Sequence, residues 1–234
     1  MAETATLTSG SLRTPKAAAV AGIIFSVLLV AALGLFRLSV PADPLDSGAW
    51  LAKSSGTVAF ALNLTPFAGV AFLWFIGVLR DRLGRQEDRF FATVFFGSGL
   101  LFLAMLFASA AVIGAVVIVF TAQPEAMMNS TTPRLARALA YNLANVYAIK
   151  MAGVFMISLS TVIFRTRIAP RWIAVLGFVL ALILLLGSYY ISWCFLVLPL
   201  WVLLISVYIL RANYENPKVS PMANKKESRQ EAEK

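Results

Sequence analysis

The chain has 234 residues, of which 60% are hydrophobic and only 13% are charged. A soluble domain has roughly 45–50% apolar and about 25% charged residues, so this composition excludes an ordinary soluble protein and indicates an integral membrane protein. The net charge of +9 comes mainly from cations that flank apolar runs. We therefore expect the lipid bilayer as partner and no nucleic acid.

The residue types that support most catalytic chemistry are scarce. The chain has no histidine and one cysteine, Cys194, which excludes histidine-ligated haem, histidine-ligated catalytic zinc and Ser-His-Asp triads. We predict no catalytic residue, no metal site and no cofactor, and a protein that is not an enzyme by itself. A lipid-metabolising activity at the inner surface, using Asp81, Glu87 or Asp88, is the remaining enzymatic alternative.

The first apolar run, residues 17–36, follows two cations. A signal peptide has an apolar core of about 7–15 residues, so we interpret this longer run as a retained helix, with cleavage after it as the alternative. Near the other end, the 39 residues from Trp172 to Leu210 carry no formal charge. One crossing needs about 20 residues, so we predict two helices there, joined by a tight hairpin within 187–193.

Together with the remaining apolar runs, this pattern predicts an all-α fold, a polytopic membrane helix bundle. We expect six transmembrane helices, at about 17–36, 56–79, 90–122, 138–164, 172–188 and 191–210.

The distribution of lysine and arginine predicts the orientation. With the N-terminus inside, the inner segments hold 15 of the 20 cations, and Lys150 lies in a span. The outer segments hold the other four, which are Arg37, Lys53, Arg134 and Arg137. Cytoplasmic loops carry such an excess, so we expect a multi-pass inner (plasma) membrane protein with both termini cytoplasmic. Residues 1–16 form the N-tail, 17–210 the transmembrane domain, and 211–234 a cytoplasmic tail expected to be disordered because it is polar and mixed in charge.

The stretch "FMISLSTVIFRTRIAPRWIAVLGFVLALILLLG", residues 155–187, has a recognisable layout. A span leads into a basic turn, and Pro-Arg-Trp opens the next span. In this respect the chain resembles an uncharacterised family of bacterial six-span integral membrane proteins, a domain of unknown function. The resemblance implies a bacterial six-helix fold and implies no site.

Lys150 is the one cation inside a predicted span, in "AYNLANVYAIKMAGVF". No aspartate or glutamate occurs in any predicted span, so the lysine is neutral, solvated by oxygens and water, or waiting for an anion. We expect it to face the bundle interior. The expected oxygens are those of Asn142 and Asn145 or a carbonyl freed by Pro66.

Pro66 lies in "NLTPFAG" of the second predicted span. Proline has no amide hydrogen, so the carbonyl of Leu62 loses its usual helical partner. Asn63 and Thr65 are adjacent. Two interpretations stay open: a kinked helix whose polar groups bond neighbouring backbone, or a broken helix that lines a polar pocket.

Two functions are therefore expected. The first is an accessory or interaction protein without catalytic activity, packed against a membrane-protein partner or in a homo-oligomer. The alternative is binding or transport of a small anionic or amphiphilic molecule, at a cavity around Lys150 with Asn142, Asn145, Asn63 and Thr65.

Overall fold

The computed structural model describes residues 15–41, 48–83, 89–128, 130–166, 169–187 and 193–215, and these ranges contain helices and no strand. The expectations for the two tails, the acidic turn and the hairpin centre concern mainly residues 1–14, 84–88, 188–192 and 216–234. Those residues lie outside the described ranges.

The helices follow in chain order. They are α1 Pro15–Ser39, α2 Ala49–Leu83, α3 Arg89–Ala122, α4 Pro124–Met128, α5 Thr132–Asn142, a π-helical segment Leu143–Ala148, α6 Ile149–Thr166, α7 Arg171–Leu186, a 3-10 turn Cys194–Leu196, and α8 Val197–Glu215. The α5 helix, the π segment and α6 form one continuous helix of 35 residues, Thr132–Thr166.

The predicted all-α bundle is confirmed, and five of its helices are long and apolar enough to cross a membrane. The predicted fifth span is shorter than the others. It is α7, which has 16 residues and is therefore about 24 Å long at about 1.5 Å per residue. A hydrocarbon core is about 30 Å thick, so α7 by itself falls short of a full crossing and the count of six spans is approximate.

The last span begins later than the sequence suggested. Its α-helix starts at Val197 rather than at 191, after the 3-10 turn. Pro199 therefore lies in the first turn of α8, where an amide hydrogen has no helical acceptor and a proline is well tolerated.

The five long helices and the shorter α7 pack as a closed ring. Its order is α1, α2, α3, the α5–π–α6 helix, α7 and α8, which returns to α1. The helices α1 and α8 run side by side in opposite directions: a side chain added to Gly22 would collide with Ser206, and the later part of α1 lines one cavity with the beginning of α8. One end of the bundle is therefore the end where α1 begins and α8 ends. We call this the proximal end, and the opposite end, where α1 ends and α2 begins, the distal end.

A cluster of phenylalanines fills the bundle from its middle toward the proximal end. The ring of Phe72 lies 4.5 Å from Phe25, 5.6 Å from Phe102 and 5.2 Å from Phe155, between ring centroids. Phe155 in turn lies 4.8 Å from Phe95. These separations are in the range where aromatic pairs attract, so one cluster joins α1, α2, α3 and α6.

Candidate functional site

A cavity of about 220 Å³ lies between the helices in the distal half of the bundle. All the long helices contribute to its wall. Leu29, Leu106 and Ile113 provide part of its apolar surface, and Phe102, which belongs to the phenylalanine cluster, provides another part. Phe102, the lining residue of α3 nearest the proximal end, therefore forms the aromatic floor of this distal cavity.

Small side chains on the α5–π–α6 helix leave the space open. Ala140, Ala144, Ala148 and Ala152 recur at every fourth residue, and all four line the cavity. A close-packed interior would need larger side chains here to fill the volume. The alanine repeat is visible in the sequence, but small residues at helical spacing also let membrane helices pack closely, so the spacing alone does not indicate a cavity.

The π segment lies in the wall of the cavity. The backbone N–H of Ile149 bonds to the oxygen of Ala144, five residues earlier, and such segments inside α-helices are frequent at functional sites. Side chains bond the carbonyls just before it. Ser109 donates to Ala140 at 2.8 Å and Asn145 donates to Tyr141 at 3.2 Å, so the irregular turn is held by α3 and by its own amide.

Two arginines line the cavity toward the distal end. Arg137 is buried and donates from Nη2 to the carbonyl oxygen of Pro41. Arg37 is half-buried, lies in the last turn of α1, and makes no hydrogen bond or ion pair with any described residue. No aspartate or glutamate of the described ranges lines the cavity, so its distal rim is cationic.

Both arginines were expected among the outer flanking charges. A buried position for Arg137 was missed because the residues before Ala138 were expected to lie in a loop. The structure extends the helix back to Thr132, and this turns Arg137 toward the bundle.

The structure brings together only part of the predicted ligand set. Thr65 and Asn145 line the distal cavity, whereas Asn142, Asn63 and Lys150 do not. Asn142 and Asn63 are exposed on the outside of the bundle and donate to the carbonyls of Ala138 and Ala59, at 3.0 and 2.9 Å. A ligand role for these residues stays a prediction.

The helix around Pro66 is continuous rather than broken, since α2 extends from Ala49 to Leu83. Thr65 donates to the carbonyl of Ala61 at 3.3 Å, within the same helix. Thr65 and Leu62 both line the cavity. Thr65 thus bonds its own helix and still contributes to the cavity wall.

Lys150 is half-buried, and its ammonium donates to the carbonyl oxygen of Leu185. The sequence suggested Asn142, Asn145 or the carbonyl of Leu62 as the acceptor for Lys150. None of these three accepts its hydrogen bond. Leu185 lies in the last turn of α7. The last four carbonyls of a helix have no helical partner, and a cation there also interacts favourably with the helix dipole.

A glycine lets Lys150 reach that carbonyl. A Cβ atom at Gly153 would lie 3.3 Å from the backbone oxygen of Ala181 and 2.9 Å from Leu185 Cγ, so α6 and α7 approach closely at this point. Gly153 is three residues after Lys150, on the same side of the helix. The close approach places the lysine against the end of the short helix α7.

The Lys150→Met variant should lower the free energy of unfolding by about 2 kcal/mol, because it leaves the Leu185 carbonyl without its charged donor. Lys150→Arg, which keeps a donor, should lose less. Thermal or detergent-induced unfolding of the purified protein measures both. Parental stability in Lys150→Met would show that the carbonyl does not need the lysine.

Comparisons with protein-family models, with curated proteins and with solved structures find no match for this chain. The resemblance to the bacterial six-span family is therefore still a prediction, and the function has to be inferred from the cavity and the surfaces of the chain itself.

Proposed function

We propose that this membrane protein binds an amphiphile with an anionic headgroup in the distal cavity, without catalysing a reaction. The observation that carries the proposal is the pairing, in one cavity, of a cationic rim with a deep apolar wall. The accessory role in a larger complex stays a prediction, and it is compatible with a ligand-binding subunit.

Arg37 is the residue that we assign to the headgroup. It lines the cavity and has no partner among the described residues. A guanidinium presents five donors in a planar fork that matches a carboxylate or a phosphate. Thr65 and Ser109 also line the cavity. Each hydroxyl donates to a backbone carbonyl, so its oxygen can still accept a hydrogen bond from a protonated or hydroxylated headgroup.

The shape of the cavity favours an amphiphile over a small hydrophilic anion. Along α3 the wall extends from Ile113 to Phe102, which is about 16 Å at about 1.5 Å per residue. Most of this wall is apolar, and a small anion at Arg37 would leave it uncovered. A hydrocarbon chain would follow the wall from the rim toward the aromatic floor, where dispersion contacts stabilise it.

Arg37→Gln should weaken the binding of a fluorescent long-chain carboxylate about tenfold, because a charge-assisted hydrogen bond contributes about 1.5–3 kcal/mol. Arg134→Gln is the matched control, since Arg134 is exposed on α5 and does not line the cavity. Arg37→Lys should fall between the parent and Arg37→Gln. Equal affinities of Arg37→Gln and Arg134→Gln, measured by fluorescence titration, would refute the assignment of Arg37.

For the orientation we propose that the proximal end faces the cytoplasm of a bacterial inner membrane. The support is the charge bias of the sequence, in which the segments expected inside hold 15 Lys and Arg and those expected outside hold four. Arg80, Arg165 and Arg171 lie at the proximal end, each within 5.5 Å of a phenylalanine ring. Cytoplasmic ends of membrane proteins are enriched in such cations.

Single cysteines introduced in a Cys194→Ala background test this orientation. Thr131→Cys, at the distal end, should react with an impermeant thiol reagent added to intact cells, and Arg211→Cys, at the end of α8, should react only after lysis. Both side chains are exposed in the structure. Labelling of Arg211→Cys alone in intact cells would reverse the orientation.

A further inference from the structure

The exposed face of α2 carries a regular stripe that the cavity does not use. Its residues recur at alternating spacings of four and three, which is a heptad pattern. We call them the α2 seam: Gly56, Phe60, Asn63, Phe67, Val70, Trp74 and Gly77. All seven are exposed in the structure, and Phe67 and Trp74 are 66% and 67% exposed.

An exposed asparagine such as Asn63 is energetically unfavourable on a helix face that contacts lipid chains. Its amide nitrogen donates one hydrogen bond to the Ala59 carbonyl, and the described part of the chain offers no partner for the second N–H or for the side-chain oxygen. An amide has two donors and an acceptor, and burying them unpaired in hydrocarbon is unfavourable. Something other than lipid chains should cover this residue.

We propose that a second copy of this chain covers the α2 seam, forming a parallel, symmetric α2–α2 dimer in which the two Asn63 side chains bond each other. Copies of one protein insert in the same orientation, so a two-fold axis along the membrane normal places Asn63 of both copies at the same depth. An amide is self-complementary, since its free N–H and its oxygen match the oxygen and N–H of its symmetry mate.

The alternation of side-chain size suits this pairing. Large rings at Phe60, Phe67 and Trp74 are separated by smaller residues at Asn63 and Val70, and glycines lie at both ends. In a heptad seam each large side chain inserts between side chains of the facing helix. Small residues let membrane helices approach closely, and an amide across the interface adds a hydrogen bond.

Asn142 is the other exposed asparagine of the predicted ligand set. Its amide can bond headgroups or water more easily than that of Asn63, so it needs a protein partner less. It lies five residues, about 7.5 Å along the helix, after Arg137 at the cationic distal rim, so headgroups and water are near. Asn63 lies ten residues, about 15 Å along the helix, after Lys53, the cation near the start of α2. Asn142 therefore provides a matched control.

Oxidative cross-linking in native membranes tests the seam directly. In a Cys194→Ala background, Val70→Cys should form a disulfide-linked dimer, because symmetric seam positions approach within the roughly 7 Å between Cα atoms that a disulfide allows. Leu73→Cys is the control: it is exposed on the same helix but lies off the seam. Cross-linking of both positions to the same extent, or of neither, would contradict the proposed interface.

The polar contact is tested by the dimer dissociation constant, measured by energy transfer between labelled copies at increasing dilution in lipid. Asn63→Leu should raise it about tenfold, equivalent to about 1.4 kcal/mol, and Asn63→Gln should keep most of the affinity. Asn142→Leu should leave it unchanged. A dimer weakened by Asn142→Leu and not by Asn63→Leu, or a parent protein that stays monomeric at every lipid ratio, would overturn the proposal.

Discussion

Replacing Phe72 with alanine should lower the free energy of unfolding by about 3 kcal/mol, one of the two largest losses that we expect from a single substitution. Its ring is fully buried and lies 4.5–6.2 Å, between centroids, from four other phenylalanine rings. Truncating a buried phenylalanine costs about 3–5 kcal/mol through lost transfer energy and the cavity left behind. Lipid is as apolar as the core, so the lower end of that range applies.

Phe90→Ala is the matched control, because Phe90 lies at the start of α3 and is 64% exposed. It should cost about 1 kcal/mol at most, since a surface ring leaves no enclosed cavity when it is removed. Detergent-induced unfolding followed by tryptophan fluorescence compares the two variants. Equal losses for Phe72→Ala and Phe90→Ala would mean that the aromatic cluster does not hold the four helices together.

Gly177→Ala should also be strongly destabilising, by about 3 kcal/mol, the upper end of the usual cost of overpacking a core. A Cβ atom at this position of α7 would collide with Ser160 Oγ and lie 2.5 Å from the ring of Trp201. The ring cannot easily retreat. Trp201 is buried, and its indole N–H donates to the Ile173 carbonyl at 3.3 Å, so the ring is anchored on α7 itself.

Gly97→Ala controls for the change of residue type, because a Cβ atom at Gly97 of α3 would meet nothing within 4 Å. That variant should be as stable as the parent or slightly more stable, since alanine favours the helix. If Gly177→Ala unfolds at the same denaturant concentration as Gly97→Ala, the contact between α6, α7 and α8 is looser than the structure shows.

The spans could be predicted from hydropathy wherever charges bound an apolar run. The third span was expected at 90–122 and is Arg89–Ala122. The start of α2 was missed, because "AWLAKSSG" has the composition of a loop. Trp50 and Leu51 are nevertheless buried in a cluster with Val40 and Ile113, so tertiary packing extends the helix back to Ala49.

The cavity could not be predicted in the same way, since it forms only where six helices converge. The alanine repeat indicated a small-residue face but not what lies opposite. The partner of Lys150 was missed for a related reason. We expected mainly polar side chains near the lysine, whereas the acceptor is a main-chain carbonyl 35 residues away, available because α7 ends there.

The most direct test of amphiphile binding in the distal cavity is native mass spectrometry of the protein, gently extracted from its own membrane. We predict one anionic amphiphile per chain in the parent. Ala110 lines the cavity and Ala111 is exposed beside it, so Ala110→Phe should lose the bound molecule while Ala111→Phe keeps it. A parent protein without a bound amphiphile, or equal retention in both variants, would contradict the proposed function.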